Sequence, residues 1–288
     1  MTLAHDSFDL ERRQGRRFGF GDNWRNFLTL LDETRIQRAE TSLKHMLGVD
    51  HLKGQSFLDI GSGSGLFSLA ARRLGARVLS FDFDPSSVWC TRELRRRYFE
   101  ADPDWQIERG SVLDADYIAG LGQFDVVYSW GVLHHTGDMW RALKQADRCV
   151  APGGQLFVAI YNDQGGASKR WLKVKQIYNR LPRLLRPLWA SLVYLPIELR
   201  LFSVFVIRGK PLDYFRRIAN FHSPRGMSWW HDKLDWIGGY PFEVATPEAL
   251  FDFFRSRGYE LTKLATRAGR HGCNEMVFRR HHLKYLQT

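Results

Sequence analysis

The sequence predicts an α/β fold: a doubly wound, seven-stranded, mostly parallel sheet, with a helical lead-in before it and a large helical insertion after its fifth strand. Three observations carry this. Short apolar runs alternate with amphipathic stretches from residue 56 to 161, a glycine-rich turn joins the first run to its helix, and the alternation stops near 162 to resume at 244. The chain has 288 residues, 44% of them apolar, with 10 tryptophans and 20 phenylalanines, so it can bury a sizeable core, and its composition argues against disorder.

The elements follow in order. Residues 1–17 are polar and read as frayed. An aromatic lead-in from Phe18 to Phe27 follows, where Trp24 and Phe27 read most simply as packing on the sheet edge. Asp32 is placed to cap a helix that carries Ile36, Ala39, Leu43 and Met46 on one face and ends near Gly48. Strands are expected at 56–60, 77–81, 105–109, 124–128 and 155–161, and helices at 64–74, 86–97 and 138–150. Thr246 and Pro247 open a further capped helix, and 259–266 and 274–280 read as the last two strands. The expected organisation is a helical extension over 1–52, a core made of 53–163 and 244–288, and an inserted lid over 164–243.

The glycine turn is the most informative motif. Phe57-Leu58-Asp59-Ile60-Gly61-Ser62-Gly63-Ser64-Gly65-Leu66-Phe67 is an apolar strand ending in alternating glycines, and Ser80-Phe81-Asp82-Phe83-Asp84-Pro85 is a second strand ending in carboxylates. Glycines permit a tight turn and close backbone approach, while an acid on the second strand accepts hydrogen bonds from ribose hydroxyls, an arrangement that suits a nucleotide-like ligand. A dinucleotide fingerprint needs glycine where Leu66 stands. With Asp59 included, the run resembles motif I of the class I S-adenosylmethionine-dependent methyltransferases. Gly122 to His135 resembles that family's fourth strand and following loop, and Ala151 to Ile160 its turn into strand five. The resemblance covers 53–163 well and 244–280 more loosely, and within the superfamily it is similar to the O-methyltransferases of ubiquinone biosynthesis and their bacterial relatives.

The resemblance implies a Rossmann-like methyltransferase fold whose last two strands are antiparallel, and S-adenosyl-L-methionine as cofactor with S-adenosyl-L-homocysteine as product. Asp59, Gly61 and Gly63 would floor the methionine part, with the backbone near Ser129 and Trp130 beside it. Asp82 would hold the ribose, with Asp84 as the competing acid, and Phe83 would lie beside the adenine. Relatives often carry an acid straight after a glycine for the adenine; here Ser111 follows Gly110, and Asp114 is the substitute. N-terminal helices of this family often cover the cofactor mouth.

The protein's chemical task would be alignment of an acceptor and removal of its proton, and a histidine suits the second. His134 and His135 follow strand four, with His135 preferred as base; the alternative is that both merely shape the loop. Tyr161, Asn162 and Asp163 close strand five at the same mouth. Met227 to Asp232, with Trp229, Trp230 and His231, and Trp236 to Phe242, with Tyr240, are too aromatic for a solvated loop and read as the acceptor-pocket wall. Arg270 to Glu275 read as turn structure near the site.

Charge and cysteines set further bounds. The net charge is +11, and residues 164–217 hold twelve lysines and arginines against Glu198 and Asp213. Such a field attracts phosphate, RNA or an acidic lipid surface. Three widely spaced cysteines (Cys90, Cys149, Cys273) and a polar N-terminus predict a reduced, cytoplasmic protein, and no Cys/His spacing predicts a metal. The apolar middle of the insertion, Leu184 to Ile207, is expected not to span a bilayer, because Arg186, Glu198 and Arg200 interrupt it and Pro187 and Pro196 should break its helix. It reads as a helical lid with its apolar face as core, or as a peripheral membrane contact. The leading function is methyl transfer to a small or amphipathic acceptor, such as a hydroxyl of an aromatic or lipid-like molecule. An RNA methyltransferase and a non-catalytic binding protein are the alternatives; the first lacks an Asn-Pro-Pro-Tyr-type signature after strand four, and the intact acid and glycines speak against the second.

Overall fold

The computed structural model of the chain describes residues 3–221 and 229–282, less the side chains of residues 3–6, Asp22, Asn23, Asn26 and His231. β1 (Ser56–Ile60), β2 (Arg77–Asp82), β3 (Trp105–Arg109), β4 (Phe124–Trp130) and β5 (Val150–Tyr161) form a parallel set. The near-continuous apolar runs of β1, β4 and β5 are buried on both faces, as such a sheet demands. β6 (Tyr259–Ala265) and β7 (Cys273–Arg280) complete it in the order β3-β2-β1-β4-β5-β7-β6, with β7 antiparallel to both neighbours. Strand order reverses between β1 and β4, which opens a crevice at their carboxyl ends.

Two helices precede the predicted capped one. α1 (Leu3–Arg13) occupies residues expected to fray. Its polar sequence holds because Phe8 is buried edge-on against Phe83 and because Glu11 pairs with Arg17. α2 (Gly21–Thr29) carries Trp24 and Phe27. α3 (Glu33–Leu47) is capped by the Asp32 carboxylate, which accepts from the Arg35 amide, and closed by left-handed Gly48. With α4 (Leu66–Arg73) and α5 (Pro85–Tyr98) it covers one sheet face through Ile36, Leu43, Leu69 and Leu94. α6 (Ala115–Leu121) and α7 (Met139–Arg148), with a helix after the insertion, cover the other face through Ile118, Leu143 and Phe254.

The insertion folds as α8 (Gly166–Arg180), α9 (Arg186–Ile207), α10 (Pro211–Ala219) and α11 (Trp229–Gly238), and the chain then rejoins the core at α12 (Pro247–Arg255). Neither proline breaks α9. Pro187 sits in its first turn, where no intrahelical bond needs the missing N–H, and the helix runs through Pro196. Lateral anchors on either side of that proline hold it: the Tyr194 hydroxyl donates to the Lys233 carbonyl, and Glu198 accepts from Lys233 at 2.7 Å, Arg217 at 2.9 Å and Tyr214 at 3.0 Å.

The apolar face is not core. Ala190, Tyr194 and Glu198 are the buried stripe of α9, while Leu188, Leu192, Leu195, Leu199 and Val206 point the opposite way and are exposed. Arg183–Ile207 is long and apolar enough to cross a bilayer by length and composition, yet its inward side is packed on α8, α10 and α11. Glu198→Ala should cost about 2 kcal/mol of stability by stranding Arg217, Lys233 and Tyr214. Urea unfolding measures this, and an unchanged midpoint would mean that α9 is held by apolar packing alone.

Candidate active site

The loop after β1 is shaped by its glycines. Gly61 and Gly63 have φ of +80° and +55°. A Cβ on Gly61 would lie 2.4 Å from Val132 Cγ1, and one on Gly63 would lie 3.1 Å from the Trp24 indole nitrogen. The loop is tied to β2 twice. Gly61 and Ser62 donate to the Phe81 carbonyl, and Gly63 donates to Asp82 Oδ2 at 2.9 Å.

The two acids at the end of β2 divide their work. Asp84 caps α5, accepting from Ser86 at 2.8 Å, and also takes the Gly21 amide at 2.9 Å. Asp82 accepts from Gly63 and from Asp84 N–H at 2.8 Å, each on a different oxygen. A carboxylate has about four lone-pair positions, so Asp82 keeps capacity for two hydroxyls. Asp59 points away from the crevice: its carboxylate accepts from Ser68, which accepts from Ser80, which accepts from Trp105 Nε1. Burial raises both Asp59 and Asp82 to about 7; Asp82 adds to the push on Asp59, and Asp84 to that on Asp82.

Residues 17–21 roof the crevice. The Arg17 guanidinium lies 4.9 Å from the Phe83 ring centre and donates to the His135 carbonyl at 3.0 Å. Phe18 N–H donates to the Tyr240 carbonyl, and the Phe20 ring sits 4.9 Å from His135.

Beyond β4 lies an aromatic chamber. Tyr161 is its hub, with ring centres 3.9 Å from His134, 5.3 Å from His135, 5.3 Å from Trp236 and 5.6 Å from Phe242. His135 Nδ1 lies 2.5 Å from the Pro241 carbonyl, which can only accept, so the lone pair belongs to Nε2. His134 is fully buried, and its Nδ1 accepts from the Tyr161 amide at 3.4 Å. Its Nε2 therefore carries hydrogen and has no protein partner among the described residues. Burial first, then His135 and Lys175, keep His134 neutral, well below the usual histidine range.

Lys175 is the residue that sequence reasoning missed. It was one of twelve cations in a basic stretch, yet it is fully buried. Its ammonium donates to the Trp236 carbonyl and lies 4.3 Å from the Trp236 ring centre and 4.9 Å from that of Phe242. Burial lowers it to about 7 against the pull of Asp235. The one available signal was its place between Trp171 and Tyr178 on the aromatic face of α8.

Other predicted residues fall elsewhere. Ser129 is buried and donates to the Ile60 carbonyl, locking β4 to β1, while Trp130 is exposed at the end of β4. Asp114 is exposed and caps α6, accepting from Asp116 and Tyr117. Asn162 clamps the last hairpin, accepting from Asn274 and donating to the Arg270 carbonyl. Trp230 packs in the insertion's own apolar cluster, with Trp229 beside it under Lys233. Tyr240 contributes its carbonyl to the roof. The His231 side chain, Met227 and Ser228 lie outside the described residues. His271, in the predicted turn, reaches the chamber at 5.6 Å from Trp236.

Comparison with known proteins identifies the family and the fold. A family model described as a methyltransferase domain matches residues 31–236. The ubiquinone biosynthesis O-methyltransferase of Xanthomonas oryzae pv. oryzae is 32% identical over 111 residues, 38% of this chain and 45% of that protein. That of Methylobacterium sp. (strain 4-46) is 34% identical over 116 residues, 40% of this chain and 45% of that protein. The match thus spans less than half of these curated relatives. Magnesium protoporphyrin IX methyltransferase from Synechocystis PCC 6803, solved with bound SAH, superposes with a TM-score of 0.55 at 12% identity, covering 94% of this chain and 99% of that one. A [4+2]-cyclase, SpnF, superposes at 0.51 with 12% identity, covering 86% and 81% of the two chains. The shared fold therefore does not by itself fix the reaction.

The buried groups predict a particular pH response. Native Asp59 and Asp82 keep protons that the unfolded chain releases near 3.8, so their contribution to stability is full below that pH and is lost as pH rises through about 7. Native Lys175 releases a proton that the unfolded chain keeps to 10.5, so its contribution rises with pH above about 7. Urea midpoints of the ligand-free protein across this range should fall and then recover. Asp59→Asn should flatten the first limb and Lys175→Met the second; limbs unmoved by either change would assign the titration to other groups.

Proposed function

The chain belongs to the methyltransferase domain family, and from that premise we propose that it transfers a methyl group from S-adenosyl-L-methionine to a hydroxyl of an aromatic or lipid-like acceptor. The observation that carries the cofactor reading is the Asp82 carboxylate at the β2 end, bonded to the glycine loop by Gly63 with lone pairs remaining for a ribose. Gly61 and Gly63 supply the positive φ that the loop needs to reach Asp82, and Phe83 follows Asp82 directly, where it would lie beside an adenine. When bound, the cofactor supplies the electrophilic methyl and leaves as S-adenosyl-L-homocysteine.

The protein's own part is orientation and proton handling. The acceptor oxygen would lie in the chamber of Tyr161, Trp236 and Phe242, its hydroxyl proton passing to His135 Nε2 as the oxygen–methyl bond forms. His134 Nε2–H, buried without a protein partner, would donate to an oxygen of the acceptor and so align it. In its charged form, below about pH 7, Lys175 would add positive charge at the wall where a phenolate would develop. The chamber is lined by rings, which supports an aromatic acceptor, and the curated relatives are named O-methyltransferases, which supports oxygen as the accepting atom.

The exposed leucine row of α9 supports a peripheral membrane contact, and with it a cytoplasmic protein that collects its acceptor from a bilayer. An RNA backbone would call for charge rather than leucine on that surface. Asp82→Ala should weaken S-adenosylmethionine binding on the order of 10- to 100-fold in calorimetry, and unchanged affinity would remove the ribose assignment. His135→Ala should lower turnover roughly 100-fold with cofactor affinity unchanged; full activity would exclude it as the base. Radiolabelled methyl transfer into a cell extract should place label in the organic-soluble fraction, whereas label in RNA would overturn the acceptor class.

A further inference from the structure

A second cleft lies on the far side of the roof. It encloses about 700 Å³ between α1 with its following loop and the junction of α8 and α9. Arg12, Arg13 and Arg17 line it from one side and Arg180, Arg183 and Arg186 from the other, with Asp9 the one carboxylate among the lining residues. Gly15 brings the two sides together: with φ of +66°, it packs so closely that a Cβ would meet the Asn179 carbonyl at 2.4 Å.

We infer that this cleft is a binding site for a phosphate-bearing anion, and that the anion is the headgroup of an acidic phospholipid. This rests on the reading of α9 as a membrane-contact face. Arginine presents planar, multiply donating groups suited to phosphate oxygens. Arg186 is partly used within the fold, donating to the carbonyls of Asn179 and Leu181 at the end of α8. Those bonds cover the carbonyls that would otherwise repel an anion. Arg13, Arg180 and Arg183 are exposed at the mouth. Arg186 is held below its ordinary value first by burial; Tyr178 opposes this, and Arg183 and Arg12 add to it.

What selects a lipid over a soluble phosphate is continuity. Arg183 is followed directly by Leu184, which is 92% exposed, and by Leu185 and Leu188, the start of the α9 row. A ligand with a phosphate at one end and acyl chains at the other matches that sequence of surfaces. A bilayer meeting α9 side-on would set headgroups level with the cleft mouth.

Vesicle co-sedimentation with the full chain tests this, comparing phosphatidylcholine vesicles with vesicles that also contain phosphatidylglycerol. The wild type should prefer the acidic vesicles. The combined Arg13→Ala, Arg180→Ala and Arg183→Ala variant should lose that preference by on the order of 100-fold while keeping its circular dichroism and its weaker binding to neutral vesicles. A charge-matched control, with Arg38, Lys44 and Arg92 changed to alanine on α3 and α5, should keep it; equal loss there would mean diffuse attraction and overturn the site. Equal wild-type binding to both vesicle types would overturn the headgroup site while sparing the apolar contact. Leu188→Ser with Leu192→Ser and Leu195→Ser should abolish binding to both. No binding of the wild type to either vesicle would sink the membrane reading itself. If inorganic phosphate then raised the melting temperature of the wild type but not of the arginine variant, the cleft would be a soluble-phosphate site and the lipid assignment would fall.

Discussion

The crevice depends on one bond between a backbone amide and a carboxylate. Gly63 donates to Asp82, which joins the loop after β1 to the end of β2, one strand away from the β1–β4 pair where strand order reverses. The loop can reach that oxygen because its glycines hold positive φ, and Asp82 is turned toward it because its other oxygen takes the Asp84 amide. Asp84 in turn caps α5 and receives Gly21, so the same short segment sets the floor, a flanking helix and the start of the roof. Removing water from Asp82 is costly, and a raised proton affinity is the trace that the cost leaves.

The insertion reverses the usual arrangement of an amphipathic helix. On α9 the charged residue Glu198 faces inward, where Lys233, Arg217 and Tyr214 satisfy it, and leucines face outward. A buried carboxylate with three donors gives the helix a fixed rotation, which apolar packing alone would not specify. The outward row is then a product of where the polar anchor points.

Much of this was legible in the sequence. The sheet was, because parallel strands buried on both faces need apolar runs that few other structures tolerate, and Phe57 to Ile60, Val126 to Tyr128 and Leu156 to Ile160 display them. Asp82, the glycines and the histidine pair were legible because their chemistry is local to a turn. The division of labour between Asp82 and Asp84 was not, since both follow the same strand and only the cap on Ser86 separates them. Lys175 was hidden because a sequence does not say which cation of a basic stretch meets a ring. α1 was hidden because its support comes from Phe83, seventy-five residues further along the chain than Phe8. Pro196 misled because the penalty of a mid-helix proline was weighed without the lateral bonds that outweigh it.

The roof has a consequence for traffic. Arg17 rests on Phe83 at one end of the crevice and on the carbonyl of His135 at the other, while Phe18 and Phe20 close the span between the Tyr240 backbone and the His135 ring. One strap of five residues thus touches both compartments. Lifting it would uncover the Asp82 side and the Tyr161 side together, so cofactor and acceptor would answer to the same movement.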